Sequence, residues 1–155
     1  MIFNKLYFLI SPVLFGFAYI NISDSILKKE DDAYFIPVKP QENLDLQSSI
    51  KRGKDIYTDF CMQCHLVSGK GDLVNVPPLN NSDWLLKKRK QSIQVVKYGQ
   101  TGIITVNGKK FNGTMPSLGL EDQEVADVMN YITNSWGNKQ SKIVTVEEVK
   151  AVMKT

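Results

Sequence analysis

The chain opens on an apolar run, Leu6 to Ile20, interrupted only by Ser11 and preceded by the weakly basic stretch Met1–Lys5. The run LYFLISPVLFGFAYI has the length of a signal-peptide hydrophobic region. Extended to Ser23 it gives 18 uncharged positions, close to the roughly 20 that span a bilayer. No small-x-small cleavage site stands out, because the bulky Tyr19 and Ile20 follow Ala18. A terminal apolar run with Lys5 before it and a polar stretch after it favours export over a buried core helix. Residues 1–20 are therefore expected to be a signal peptide or an N-terminal membrane anchor, with residues 6–23 holding the protein at a membrane in the second case. Residues 21–46 are polar, carry the cluster Lys28-Lys29-Glu30-Asp31-Asp32, and contain Pro37 and Pro40, which disfavour a continuous helix. They are expected to be a linker, acting as a tether to an anchor or as a strap held by Tyr34, Phe35 and Ile36.

Beyond residue 46 the pattern turns to helical periods, and residues 47–155 are expected to form one domain. A first helix is expected from about Ser49 to Cys64, with Ser48 or Ser49 as N-cap and Ile50, Ile56, Tyr57 and Phe60 on its apolar stripe. A second is expected from Ser82 or Asp83 to Tyr98, stopped by Gly99. Its stripe is Trp84, Leu85, Ile93 and Val96, and Lys87-Lys88-Arg89-Lys90 is its solvated part. The third runs from about Asp122 to Trp136, where Val125, Val128, Met129, Ile132 and Trp136 recur at steps of three and four, and Gly137 suits the position just past its end. Thr145-Val146-Glu147-Glu148 fits a capping box for a short tail helix. The connections Ser68–Asn81 and Gly99–Gly119 are rich in Gly and Pro. Within the latter, Thr101–Val106 is β-prone and Asn107-Gly108 signals a turn. The fold class is all-α, with three core helices and long loops that need something apolar to pack on.

Composition narrows the partners more than the fold. The 155 residues are 43% hydrophobic and 23% charged, ordinary for a globular domain with appendages. A formal net charge of +3 is too mild to imply nucleic acid and is compatible with docking to an acidic protein patch.

The candidate chemistry is concentrated in five residues. Cys61-Met62-Gln63-Cys64-His65 holds both cysteines and the single histidine of the chain. C-x-x-C-H is the attachment signature of c-type haem. On a helical turn, positions three and four apart share a face. Cys61, Cys64 and His65 are then placed to address one macrocycle, the thiols through thioether links and the imidazole through the iron. A structural zinc site needs about four Cys/His ligands, more than the chain has. A thioredoxin-like C-x-x-C lacks its βαβ setting here and leaves His65 unexplained, as a plain disulfide also does. Among the methionines, Met1 lies in the export segment, Met62 in the motif, Met129 on a helical stripe and Met153 in the tail. Met115 alone lies in a Gly-rich loop, followed by Pro116. By itself that leaves a loop-borne ligand and a gap-filling core residue open; beside C-x-x-C-H the ligand is favoured.

With these residues in view, the chain resembles the class I mono-haem cytochromes c over about residues 47–153. Beyond the haem motif, Pro77-Pro78-Leu79 resembles that family's Pro-x-Leu loop, which implies that the Pro77 carbonyl accepts the ring N–H of His65. Gly113-Thr114-Met115-Pro116 resembles the loop that supplies the distal methionine sulfur. Glu124–Trp136 resembles the C-terminal helix that crosses the first helix, with Gly53, Tyr57 and Tyr131 at the crossing. The start of this helix at Leu120-Glu121-Asp122 lacks the usual Ser or Thr cap, and the insert Lys87–Lys90 is unusually basic. The resemblance implies the cytochrome c fold around one covalent haem c, its iron ligated by His65 and Met115, with Cys61, Cys64, His65, Pro77 and Met115 as the cofactor-binding set. Gly102–Gly108, Met115-Pro116 and Asn134–Asn138 are similar to the cytochrome subunits or domains that serve periplasmic dehydrogenases and nitrite reductases. This implies a periplasmic oxidoreductase or a terminal oxidase or reductase as partner.

The expected function is that of a mono-haem electron carrier, not an enzyme, working outside the cytoplasm, either soluble in the periplasm or anchored. Two fixed axial ligands leave no open iron site for a substrate. The alternative is a haem protein whose sixth ligand is labile and which binds a small ligand or reduces peroxide; it lacks a second His or an obvious acid–base pair. Trp84, Tyr57 and Tyr98 are candidates for hydrogen bonds to haem propionates, with core packing the commoner role for such residues. Lys87–Lys90, with Lys109 and Lys110, are a candidate docking face, with a solvated face the commoner role.

Overall fold

The computed structural model describes residues 41–154. The apolar segment 1–20 and the first twenty positions of the expected linker lie outside the described residues. Among the described residues no helix is long and apolar enough to cross a membrane.

Helix α1 spans Gln41–Ile56, so the last part of the expected linker is helical. Pro40 directly precedes it in sequence, and a helix start tolerates proline because no N–H partner is needed there. Leu46 is already buried. Ser49 is consequently not a cap. It lies inside the helix, and its hydroxyl donates to Asp127 Oδ1 at 2.6 Å, a partner 78 positions away that local sequence does not reveal. At Tyr57–Cys61 the helix widens into a π segment closed by the Met62 N–H on the Tyr57 carbonyl, and α2, Met62–His65, completes it. Such insertions cluster at functional sites because one extra residue per turn re-aims the side chains that follow.

The expected second helix is two. α3 covers Asp83–Lys87, capped by Ser82, whose hydroxyl accepts the Leu85 N–H at 3.4 Å, and α4 covers Arg89–Tyr98. The break is at Lys88 (φ −121°, ψ 52°). It turns Arg89 away from solvent, where its guanidinium pairs with both Glu148 carboxylate oxygens at 2.6 and 2.7 Å and donates to the Ile143 carbonyl at 2.8 Å. The run Lys87–Lys90 is thus not one solvated face. Strands β1 (Ile104–Val106) and β2 (Lys109–Phe111) form an antiparallel hairpin with Ile104 opposite Phe111. Asn107 and Gly108, at φ 51° and 78°, make its primed turn. The domain is mostly helical with this small sheet added.

Helix α5, Asp122–Ile132, stops a turn earlier than the periodicity suggested. Thr133 is its last cap, and Trp136 and Gly137 follow in a turn with φ 51° and 92°, so Gly137 does not sit just past the helix end. Its start does without Ser or Thr: the Glu124 carboxylate reaches back to accept the Glu121 N–H at 2.8 Å. α6 spans Val146–Lys150, with Thr145 Oγ1 accepting the Glu148 N–H at 3.2 Å.

The core lies where α5 crosses α1. Val125, Val128, Met129 and Ile132 are all buried, and Val144, Val149 and Val152 of the tail pack on the same cluster. The crossing is tight at Gly53, where a Cβ would stand 2.0 Å from the Asp127 carbonyl oxygen.

Candidate functional site

Cys61, Cys64, His65, Pro77 and Met115 all line one cleft of about 190 Å³. Cys61 comes from the π segment, Cys64 and His65 from α2, and Pro77 and Met115 from the two long loops. The remaining walls are mostly apolar and come from the rest of the domain. They include Trp84 and Leu85 of α3, Val96 of α4, Phe111 of the hairpin and Ile132 of α5. No Asp, Glu, Lys or Arg is among the described residues that line it.

The two cysteines are free thiols. Burial, followed by the neighbouring Cys64, pushes the Cys61 thiol up to about 11. Reactive redox thiols have the opposite character, with a depressed value that exposes a thiolate, so Cys61 is poorly set up for disulfide exchange. His65 is buried, which lowers its pKa, while a backbone interaction with Pro77 works the other way. The imidazole is therefore neutral at pH 7 and competent as a ligand. Its Nδ1 is buried and lacks a partner of good hydrogen-bond geometry. Pro77 is thus beside the ring, as the Pro-x-Leu resemblance implied, but the direct bond is not fully formed.

The loops around the cleft are fastened by bonds that sequence alone did not disclose. Gly69 O accepts the N–H groups of Leu79 and Asn80 at 2.7 and 2.9 Å, and Asn138 Nδ2 donates to the Leu79 carbonyl at 2.8 Å. Met115 exchanges two backbone bonds of 2.8 Å with Gln100. Nothing in the composition of either segment marks Gln100. Asn138 had a signal, since it closes the Asn134–Asn138 stretch singled out in the sequence. Among the described methionines Met115 alone lines the cleft; Met129 is in the core and Met153 is exposed.

Tyr57, Tyr131 and Trp136 meet with ring centroids 5.1–5.6 Å apart, confirming Tyr57 and Tyr131 at the helix crossing. The Tyr57 hydroxyl donates to Leu66 O at 2.7 Å and Trp136 Nε1 to Val67 O at 2.9 Å. The trio therefore locks the crossing onto the chain just past His65. The Tyr98 hydroxyl donates to Val152 O at 3.1 Å. The hydroxyls of two of the three propionate candidates are thus engaged with protein carbonyls; Trp84 lines the cleft, as Tyr57 does, and has the Lys88 ammonium 4.1 Å from its ring centroid.

An apolar cleft with two free thiols and a buried neutral imidazole suits a flat, largely apolar macrocycle carrying iron. The half-exposed Phe60 on its wall is a side chain such a group would cover. The model of the family described as Cytochrome c matches residues 50–136. The chain belongs to the cytochrome c family, and its cofactor is haem c, held covalently through Cys61 and Cys64. It is similar to cytochrome c-552 of Thermus thermophilus, 40% identical over 107 residues that cover 63% of this chain and 81% of that protein. It is also similar to the gluconate 2-dehydrogenase cytochrome c subunit of Pantoea cypripedii, 33% identical over 66% of this chain and 24% of that subunit. The cytochrome c subunit of a quinone alcohol dehydrogenase from Gluconacetobacter polyoxogenes is 33% identical over 66% of this chain and 22% of its own length.

Proposed function

We propose that His65 and Met115 would ligate the haem iron, and that the protein carries single electrons between redox proteins outside the cytoplasm. The observation that carries the ligand pair is that His65 and Met115 line the same cleft, with Met115 alone among the described methionines. The haem supplies a reversible one-electron change at iron, and His/Met ligation raises its potential relative to bis-nitrogen ligation. The protein's own part is to keep that centre still and dry. His65 remains neutral, Met115 is held by its backbone to Gln100, and the apolar walls exclude water. The lack of a carboxylate or ammonium group among the described cleft residues supports electron transfer over peroxide chemistry, which needs a placed acid or base. The dehydrogenase subunits among its relatives support an oxidoreductase as one partner, and the apolar run Leu6–Ile20 supports export, with anchoring through residues 6–23 as its membrane-bound form.

The ligand pair is tested on the holoprotein. The ferric form should show the weak far-red charge-transfer band of sulfur ligation, and the reduced form should bind carbon monoxide slowly, because a ligand must first leave. Met115→Ala should abolish the band, lower the potential and speed carbon monoxide binding. A wild type that is high-spin, binds carbon monoxide rapidly and turns over peroxide would replace the carrier with the ligand-binding alternative.

A further inference from the structure

The end of α4 is bonded to the tail and to the ligand loop, and the Lys97 ammonium also pairs with Asp122 at the start of α5 at 2.7 Å. Toward the tail, Lys97 Nζ donates to the Val149 carbonyl at 3.1 Å, and the Tyr98 hydroxyl donates to that of Val152. Toward the ligand loop, the Lys97 carbonyl accepts from Ser117 Oγ at 3.1 Å, and Gln100 exchanges its two bonds with Met115. Between them lies Gly99, at φ 84°, a left-handed conformation that glycine adopts without steric cost. A Cβ there would stand 2.6 Å from the Met115 carbonyl oxygen and 2.8 Å from the Ser117 nitrogen. Only a hydrogen fits between these two stretches of main chain.

We infer that residues 97–100, with Gly99 at their centre, are the positioning element that keeps the Met115 sulfur on the iron. They do so by fixing the main chain from which Met115 hangs, and the tail at Val149 and Val152 braces them from behind. The inference rests on Met115 being the ligand. Gly99 acts through the Met115 backbone and is a positioning residue. A loop-borne ligand exchanges between bound and released states, and a contact that favours one arrangement of the loop biases that exchange. Displacing the Met115–Ser117 main chain should therefore raise the released fraction, which is the fraction open to an added ligand.

The test compares the wild-type holoprotein with Gly99→Ala, Gly102→Ala and Ser117→Ala. Gly102 also has a positive φ, 88°, but nothing lies within 4 Å of a Cβ placed on it. Both glycine variants carry the strain of a left-handed alanine; only Gly99→Ala drives a methyl into Met115. Gly99→Ala should weaken the far-red sulfur band, bind carbon monoxide about tenfold faster, and speed amide hydrogen exchange at Gln100 and Met115. Gly102→Ala should lose stability and leave all three at wild-type values. Ser117→Ala, which deletes one bond to Lys97 O, should shift them in the same direction by less, and it decides the matter if Gly99→Ala yields no holoprotein. Gly99→Ala indistinguishable from Gly102→Ala, or Ser117→Ala at wild-type values where Gly99→Ala cannot be made, overturns the inference and leaves Met115 as the ligand. A wild type without the sulfur band removes Met115 from the iron and the inference with it.

Discussion

The α1–α5 crossing and the loop-built cleft are assembled on different principles. At the crossing, apolar burial is backed by a closed polar network. Asp127, 2% exposed, receives Ser49 Oγ at 2.6 Å and both the Nε and a terminal nitrogen of Arg52 at 2.7 Å. Asn130 donates to Ser49 Oγ and to the Val144 carbonyl, and accepts the Val144 N–H. A buried carboxylate is tolerable only when its oxygens are paired in this way, and the network fixes the two helices and the tail in one register. Around the cleft, by contrast, walls from loops, hairpin and helices converge on space that no side chain fills, and His65 Nδ1 has no good partner. The crossing is complete as protein. The cleft is complete only with its cofactor, so the two halves should respond differently to the same insults.

The largest effect is expected from removing the imidazole at the haem site. His65 is the sole histidine of the chain, so His65→Ala should yield no stable holoprotein. In the residual protein, amide protection should fall most in Ser68–Asn81 and Gly99–Gly119. Wild-type haem should survive acid–acetone extraction of the denatured chain. Loops that stay as protected as α5 without haem would show that the cleft half does not depend on it. Next in size is Gly53→Ala, which attacks the other half. Its Cβ would meet the Asp127 oxygen at 2.0 Å and Tyr131 Cβ at 2.9 Å, and parting two packed helices should cost about 3 kcal/mol. A lowered urea midpoint with the far-red band intact in the surviving holoprotein is the expected pair of results. An unchanged midpoint would mean that the crossing is looser than the contacts imply.

This division also explains what could be read from the sequence. Features set by local rules were legible: the stripe Val125–Ile132, a helix start at Ser82 or Asp83, the cap Thr145, the Asn107-Gly108 turn, and the C-x-x-C-H residues of the cleft, whereas Pro77 and the choice of Met115 leaned on the family resemblance and the neighbouring motif. Features set by distant partners were not. Ser49 looked like a cap because its acceptor, Asp127, is 78 positions on, and Arg89 looked solvated because Glu148 is 59 positions on. The early start of α1 was hidden because a proline just before a helix and a proline that breaks one look alike until the helix is seen. The roles of Gln100 and Gly99 follow from main-chain contacts with Met115, which carry no side-chain signature. The π segment likewise has no local code in Tyr57–Cys61.

The smallest effect is expected where the tail closes onto α4, and it is a function of pH. The Arg89 guanidinium, bonded to the Glu148 carboxylate, holds Glu148 below the ordinary glutamate value, while partial burial opposes this. A carboxyl depressed in the folded state contributes stability that is fully present above its unfolded value and is lost as pH falls through its folded value. The contribution should thus be intact at neutral pH and disappear below the ordinary glutamate range. Both partners retain some solvent access, so screening limits the pair to about 0.5 kcal/mol. Glu148→Gln should lower the urea midpoint slightly at pH 7, make progressively less difference as pH falls below the ordinary glutamate range, and leave the far-red band in place. Its small cost should shrink further with added salt. A Glu148→Gln effect that does not shrink as pH falls would assign the loss to packing at α6 rather than to charge, and the tail would then be held to α4 mainly by Val149 and Val152.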